Sequence, residues 1–383
     1  MDKPTVQDIF HRFYPAYLDQ YSPSPVQAKV AHNIMNCKTG AYGANVCVCE
    51  DCGFVQIHYN SCRNRCCPMC QAVPKEMWMD ARREDVLDAP YFHLVFTVPD
   101  ILNPVIYSNQ RLLYDALYHA ASSTISELTA DPKHLGAKVG YICILHTWGS
   151  EMNFHPHIHT ILLGGGLASN NQWKDNGENF FLPIRVISKV FRGKYLEELK
   201  RLWEEDKLVF HGIAEKFRNH YTFKELLDSC YGMDWIPHCK KTFNGAQTVI
   251  KYLGKYTHRI AVSNHRTVRM DDDTVTFLVK DYRNEGQWKE LTISGVEFVR
   301  RFLMHVPPRR FVRIRHYGLL CSRTKNQKLT LCRNLLGCKK YLSKLRDMEM
   351  PEILEHLYGI KVCVCKACGG HLGKPQMRMP LRC

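Results

Sequence analysis

Apolar residues recur at helical spacing over the first 36 residues: Ile9, Phe13 and Tyr17, then Val26, Val30 and Ile34, with Ser22-Pro23-Ser24-Pro25 breaking the pattern. Such spacing lines up an apolar stripe on one side of a helix, so two short helices are expected. Lys75–Leu87, with its charges on one face, predicts a linking helix, and Tyr91–Val98 a strand. A long helical stretch from about Pro104 to Leu128 precedes two strand-like runs, Val139–Thr147 and His157–Leu163. The stretch Trp148–His155 suits the connection of a β-hairpin, and Gly164-Gly165-Gly166 would end it. After a polar insertion (Ser169–Asn179) come helices near Val186–Trp203 and Phe223–Tyr231 and a strand over Asp234–Lys240. Asn244 is a candidate N-cap for a helix through Tyr256. Thr274–Lys280 and Lys289–Ile293 read as a second hairpin, and Val296–Val306 as a helix stopped by Pro307-Pro308. This order predicts an α+β protein with a central antiparallel sheet flanked by helices. No internal repeat is visible.

Composition narrows the class. The 383 residues are 45% hydrophobic and 23% charged, which excludes a disordered chain or a fibre and suits two or three domains. Nothing approaches the roughly 18 consecutive apolar residues of a membrane span. The start, MDKPTVQDIFHRF, lacks the apolar stretch of a secretion signal, so a cytosolic protein without a membrane partner is expected. Lys and Arg outnumber Asp and Glu by 52 to 37, a formal charge of +15 that fits a polyanionic partner.

The 18 cysteines then need an explanation other than disulfides, because cytosolic thiols are kept reduced. Eight of them lie between Cys37 and Cys70. Cys49-x-x-Cys52 and Cys67-x-x-Cys70 are two knuckles separated by 14 residues, and their four thiolates are the expected ligands of a tetrahedral structural Zn²⁺. Cys37, Cys47, Cys62, Cys66 and His58 remain as spare donors, with Cys37 and Cys62 the further zinc candidates. Arg63 and Arg65 sit within the module as candidate phosphate contacts. Near the other end, Cys363, Cys365 and Cys368 supply one knuckle; Cys365 and Cys368 could hold a second zinc with a fourth donor among Cys332, Cys338, His371 and Cys383.

His155-Pro156-His157-Ile158-His159 carries the candidate chemistry. On a strand, residues i and i+2 share a face about 6.6 Å apart, so His157 and His159 can share an ion, whereas His155, about 13 Å from His159 along a straight strand, is poorly placed. Pro156 discourages regular strand structure. The hairpin could instead bring His146 opposite His157, and three imidazoles would leave positions on the ion open for catalysis. The plainer reading is surface or hydrogen-bonded core histidines. Downstream, Lys251-Tyr252-Leu253-Gly254-Lys255-Tyr256-Thr257-His258-Arg259 puts two tyrosines at i and i+4, on one side of a helix. Such a pair is ordinarily a packing face. Here Lys251, Lys255, His258 and Arg259 surround it, and cations could both help a phenol of pKa about 10 to ionise and hold a phosphate under attack.

Paired histidines on a strand with downstream helical tyrosines resemble the HUH endonuclease superfamily, and the His146-x10-His157-x-His159 spacing is like that of its relaxases. Over roughly residues 30–300 the chain resembles the bacterial two-tyrosine rolling-circle transposases of the insertion-sequence-ninety-one family, relatives of Helitrons. Cys49-Glu-Asp-Cys52-Gly53 and Asn60–Cys70 match their zinc-binding domain; His146–Gly149, His155–His159, Gly164–Gly166 and Tyr252–Arg259 match their catalytic domain. Cys66 stands where the family often has His. The resemblance implies an HUH-like fold with N-terminal helices at 1–36, a zinc-binding domain at 37–73, a catalytic domain at 74–306 and a basic region at 307–383. It further implies Mg²⁺ or Mn²⁺ on His146, His157 and His159, and Tyr252 and Tyr256 as nucleophiles on single-stranded DNA at transposon ends and target. Lys251, Lys255 and Arg259 would contact that strand, host replication factors would follow, and the protein would sit with the bacterial nucleoid. Two other readings use the same residues: a three-histidine zinc hydrolase, and a zinc-containing DNA-binding protein or inactive transposase without chemistry.

Overall fold

The computed structural model describes residues 3–175, 182–235, 238–243, 261–281, 285–373 and 376–378, together with the single residues 249 and 254. The helices are α1 (Val6–Gln20), α2 (Pro25–Met35), α3 (Ala72–Arg83), α4 (Asn103–Ser108), α5 (Gln110–Ala130), α6 (Ile184–Glu204), α7 (His220–Gly232), α8 (Gly295–Met304), α9 (Lys325–Leu336) and α10 (Met350–Tyr358). The strands are β1 (Ala44–Val48), β2 (Val55–Tyr59), β3 (Tyr91–Thr97), β4 (Lys138–Trp148), β5 (Phe154–Leu167), β6 (Trp173–Asp175), β7 (His238–Phe243), β8 (Thr267–Met270), β9 (Thr274–Asp281), β10 (Gln287–Ser294), β11 (Ile314–Gly318) and β12 (Gln376–Arg378). The break between the first two helices falls where the prolines put it: Ser24 accepts the N–H of Gln27 and Pro25 opens α2, its missing donor costing nothing there. No described helix is long and apolar enough to cross a membrane.

The main sheet runs β11-β4-β5-β3-β7, with β6 added to β5, and every pairing is antiparallel. Alternate residues of its strands face opposite ways. Phe92, Leu94 and Phe96 of β3, Tyr141, Cys143 and Leu145 of β4, and Ile158 and Leu162 of β5 enter the large core beneath α5, α6 and α7. Ile142, Ile144, Ile161 and Leu163 face the other way, into a smaller core with Leu319, Leu320 and Leu329. His146, His157 and His159 continue those second rows, so the period of two that builds the core also puts the three histidines on one face.

Two smaller sheets accompany it among the described residues. The β10-β9-β8 sheet packs with α1, α2 and α8 around Phe10, Phe277, Phe298 and Phe302. The third, β12-β1-β2, belongs to the cysteine module.

The α+β class with an antiparallel sheet stands, but the expected divisions do not follow the packing. Helices α1 and α2 of the expected 1–36 unit share a core with β9 and α8, and β11, placed in a separate basic region, is an edge strand of the main sheet. The tail beyond it returns to α3, where Tyr341 and Ser343 each donate to the Asp80 carboxylate at 2.6 Å. Pro156 does not interrupt β5. Register slips between His146 and Trp148, where His146 opposes His157 and Trp148 opposes Phe154, and that irregularity accommodates a residue without an N–H.

Candidate metal centres and catalytic face

The hairpin of β4 and β5 sets His146 directly opposite His157, and Ile144 opposite His159. The ligand nitrogens of His146, His157 and His159 all lie within 4.8 Å of one another. Nε2 of His157 is 3.0 Å from Nε2 of His159. Two nitrogens bound at right angles, each about 2.1 Å from an ion, are about 3 Å apart, so the geometry fits a shared divalent cation. His155 is not part of this group; its ring reaches Asp100 instead, with Nδ1 3.2 Å from the carboxylate.

Surrounding groups fix the tautomers. Nδ1–H of His157 donates to the carbonyl of His155 at 2.6 Å, leaving Nε2 with a lone pair for an ion. Nδ1 of His159 is 2.9 Å from Nε2 of His93, and the two rings are nearly parallel at 10°. His93 comes from β3, on the other side of β5, and is 7% exposed. Burial, reinforced by the neighbouring imidazoles, pushes His157 down to about 3 and His159 well below its ordinary value. Both are neutral near pH 7, the state in which imidazole binds a cation. Trp148 stacks on His146 at 4.5 Å and closes one side.

Sequence reasoning missed His93. A single histidine inside Tyr91-Phe-His-Leu-Val-Phe-Thr97 reads as core. The available signal was its parity: His93 is two places from Tyr91 and Val95, on the side of the strand away from Phe92 and Leu94.

Tyr252, Tyr256, Lys251, Lys255 and Arg259 lie outside the described residues. Two neighbours do not. Val249 is buried in the apolar cluster on the histidine face, with Ile142, Ile144 and Ile161. Gly254 lies so close to α3 that an added Cβ would collide with the sulfur of Met79, itself packed on that cluster.

Among the described residues the cysteines form two four-thiol groups, divided differently from the expected sets. Cys67 and Cys70 cluster with Cys37 and Cys62, while Cys49 and Cys52 cluster with Cys365 and Cys368, each set within 4.8 Å. The two knuckles that spacing had joined therefore belong to different centres, and none of Cys332, Cys338 or His371 completes the later knuckle. In the first group, Cys62 and Cys70 sulfurs are 3.8 Å apart, and thiol donors hold Cys37 down to about 7 and Cys70 lower still. Cys37 and Cys67 are also buried in the core with α1 and α2, so this centre anchors the module to the body. Cys66 stays outside both groups. Arg65 is a structural contact, donating to the Phe311 carbonyl at 2.5 Å; Arg63 remains exposed.

Two protein-family models match the chain. The one described as "Transposase zinc-binding domain" covers residues 9–98 and the one described as "Putative transposase" residues 140–328. The "Putative transposase y4qJ" of Sinorhizobium fredii is 40% identical over 369 residues, spanning 95% of this chain and 93% of its own length. The "Transposase for insertion sequence element IS801" of Pseudomonas savastanoi pv. phaseolicola is 30% identical over 309 residues, spanning 79% of this chain and 72% of its own. Among solved structures, the conjugative relaxase TrwC in complex with oriT DNA overlaps 47% of this chain and 67% of its own at 14% identity, with a TM-score of 0.25. That likeness is too slight to bear on function.

Proposed function

Because the chain belongs to the transposases of the insertion-sequence-ninety-one family, we propose that it cuts and rejoins single-stranded DNA at the ends of a mobile element and at its target, in the rolling-circle manner. The observation that supports this reading is the convergence of His146, His157 and His159 on one point of the sheet, with Val249 and Gly254 of the tyrosine segment packed over the same face.

These three imidazoles would hold Mg²⁺ or Mn²⁺, which when bound polarises the scissile phosphate. His93 and the His155 carbonyl hold the ligand rings in register. The phenolate oxygen of Tyr252 or Tyr256 attacks phosphorus; the bond from phosphorus to the 3′-oxygen breaks, and that oxygen leaves as a 3′-hydroxyl after gaining a proton. The 5′-phosphate stays joined to the tyrosine, so the bond energy is kept for rejoining. Two tyrosines permit two such links at once, and the free 3′-hydroxyl can prime synthesis by host replication factors. Lys251, Lys255 and Arg259 would contact the strand backbone and favour the phenolate. Zinc would belong to the Cys37, Cys62, Cys67 and Cys70 centre within the matched zinc-binding domain, where a closed thiolate set leaves no open position for chemistry.

The test is incubation with labelled single-stranded oligonucleotides carrying candidate ends, plus Mg²⁺ or Mn²⁺, followed by denaturing electrophoresis. The proposal requires a covalent protein–DNA adduct that chelator abolishes and that the Tyr252→Phe/Tyr256→Phe variant lacks. A three-histidine hydrolase would cut without an adduct and survive that substitution; a DNA-binding protein without chemistry would not cut.

A further inference from the structure

We propose that Cys49, Cys52, Cys365 and Cys368 form a second structural zinc site, making one zinc ribbon from knuckles far apart in the chain. Cys52 and Cys365 are 313 positions apart, yet their sulfurs lie 3.8 Å from each other; those of Cys49 and Cys368 are 3.5 Å apart. Four thiolates about 2.3 Å from a tetrahedral zinc are separated by about 3.8 Å. A disulfide needs about 2.05 Å, so the spacing is that of ligands and not of bonded sulfurs.

The backbone is built for metal on both sides. Each knuckle reads Cys-x-x-Cys-Gly: Cys49-Glu-Asp-Cys52-Gly53 and Cys365-Lys-Ala-Cys368-Gly369. Gly53 and Gly369 have φ of +71° and +77°, a left-handed turn that favours glycine, and each donates its N–H to the first cysteine's carbonyl, at 3.0 and 2.9 Å. The N–H groups of Ala367 and Gly370 point at the sulfurs of Cys365 and Cys368, both at 3.4 Å, as donors do around a thiolate. The two halves are also stitched as a sheet, with Glu50 N–H donating to His371 O at 3.1 Å and Gly373 N–H to Val48 O at 2.9 Å. Among the described residues the ribbon's buried cluster is Cys47, Cys49, Cys365 and Leu372, too little apolar surface to hold it without a staple. The matched zinc-binding domain ends at residue 98 and so contains one knuckle of this pair without the other.

The proposal is independent of DNA chemistry and is tested on the full chain by zinc content and cysteine labelling. Metal analysis by mass spectrometry should show Cys365→Ser/Cys368→Ser one zinc short of the parent, Cys49→Ser/Cys52→Ser one short, and the quadruple variant still only one short. Undiminished zinc in either pair, or a loss of two in the quadruple variant, overturns the shared site. A readout on the parent protein covers variants that misfold. Cys363 is exposed and outside the cluster, so it should react with iodoacetamide at once. Cys52 and Cys368, although exposed, should be protected together until chelator removes zinc, and reductant alone should not release them. Labelling of Cys368 as fast as Cys363 before chelation would refute the site.

Discussion

Replacing His93 with phenylalanine tests whether the triad works as a cation site. The substitution keeps a flat ring on β3 and deletes the nitrogen 2.9 Å from Nδ1 of His159. With His93 only 7% exposed, water cannot readily take over, and removing the acceptor of a buried N–H costs about 1–3 kcal/mol. Removing the group behind a metal-holding imidazole typically weakens binding about 10–100-fold, which is about 1.4–2.7 kcal/mol. The two routes give the same scale. Titration of the full chain with Mn²⁺, followed by the electron paramagnetic resonance of free Mn²⁺, should therefore show a 10–100-fold rise in Kd, of the order expected for such a group. His93→Gln, whose side-chain oxygen can still accept from His159, should recover most of the loss. Parental affinity in the phenylalanine variant, with the fold intact by circular dichroism, would refute the assignment of His93 as a positioning residue.

Four further outcomes follow from particular contacts. Phe302, fully buried and edge-on to Phe10 at 5.2 Å, ties α8 to α1; Phe302→Ala should cost about 3–5 kcal/mol in urea unfolding. His305 donates from Nε2 to the Met152 carbonyl and accepts from the Thr147 hydroxyl at Nδ1, and burial pushes it down to about 4. Its folded value lies below the unfolded one of about 6.5, so its share of stability is complete above that pH and is lost as pH falls towards 4. About 2 kcal/mol should be gone at pH 5, and His305→Gln should remove about that much of the loss of stability in urea between pH 7 and 5. Gly254→Ala, colliding with Met79, should lower adduct formation, and adding Met79→Ala should restore it; no effect of either would separate this contact from catalysis. Cys67→Ser should release one zinc while Cys66→Ser releases none, since only Cys67 belongs to a cluster; equal losses would contradict the assignment.

Local period was enough to read much of this fold. The two strand-like runs over Val139–Thr147 and His157–Leu163, with Trp148–His155 to connect them, announced a hairpin, and counting back from His157 reached His146 because antiparallel register is a matter of arithmetic once the connection is placed. Strand order was not available that way. His93 meets His159 because β3 lies against the far edge of β5, a neighbour relation that no spacing reveals. The cysteines fail for a similar reason: all the knuckles look alike locally, and proximity in sequence favoured pairing Cys49 and Cys52 with Cys67 and Cys70. Identical Cys-x-x-Cys-Gly endings at 49–53 and 365–369 were the one hint to the contrary. Residues 314–318 hid their strand because Arg315 and His316 made the segment look merely basic. Pro156 misled through a sound rule, which bulged register satisfies.

The 313 positions between Cys52 and Cys365 also set an order of events during synthesis. A ribosome adding about 5–20 residues per second needs roughly 15–60 s to travel between them. Throughout that interval the earlier thiols have emerged with no opposite half to receive them, while Cys37, Cys62, Cys67 and Cys70 have theirs at hand. A translation product broken off before residue 365 would carry a frayed, reactive hairpin, open to oxidation and proteases. The ribbon thus marks which polypeptides have been read through residue 368.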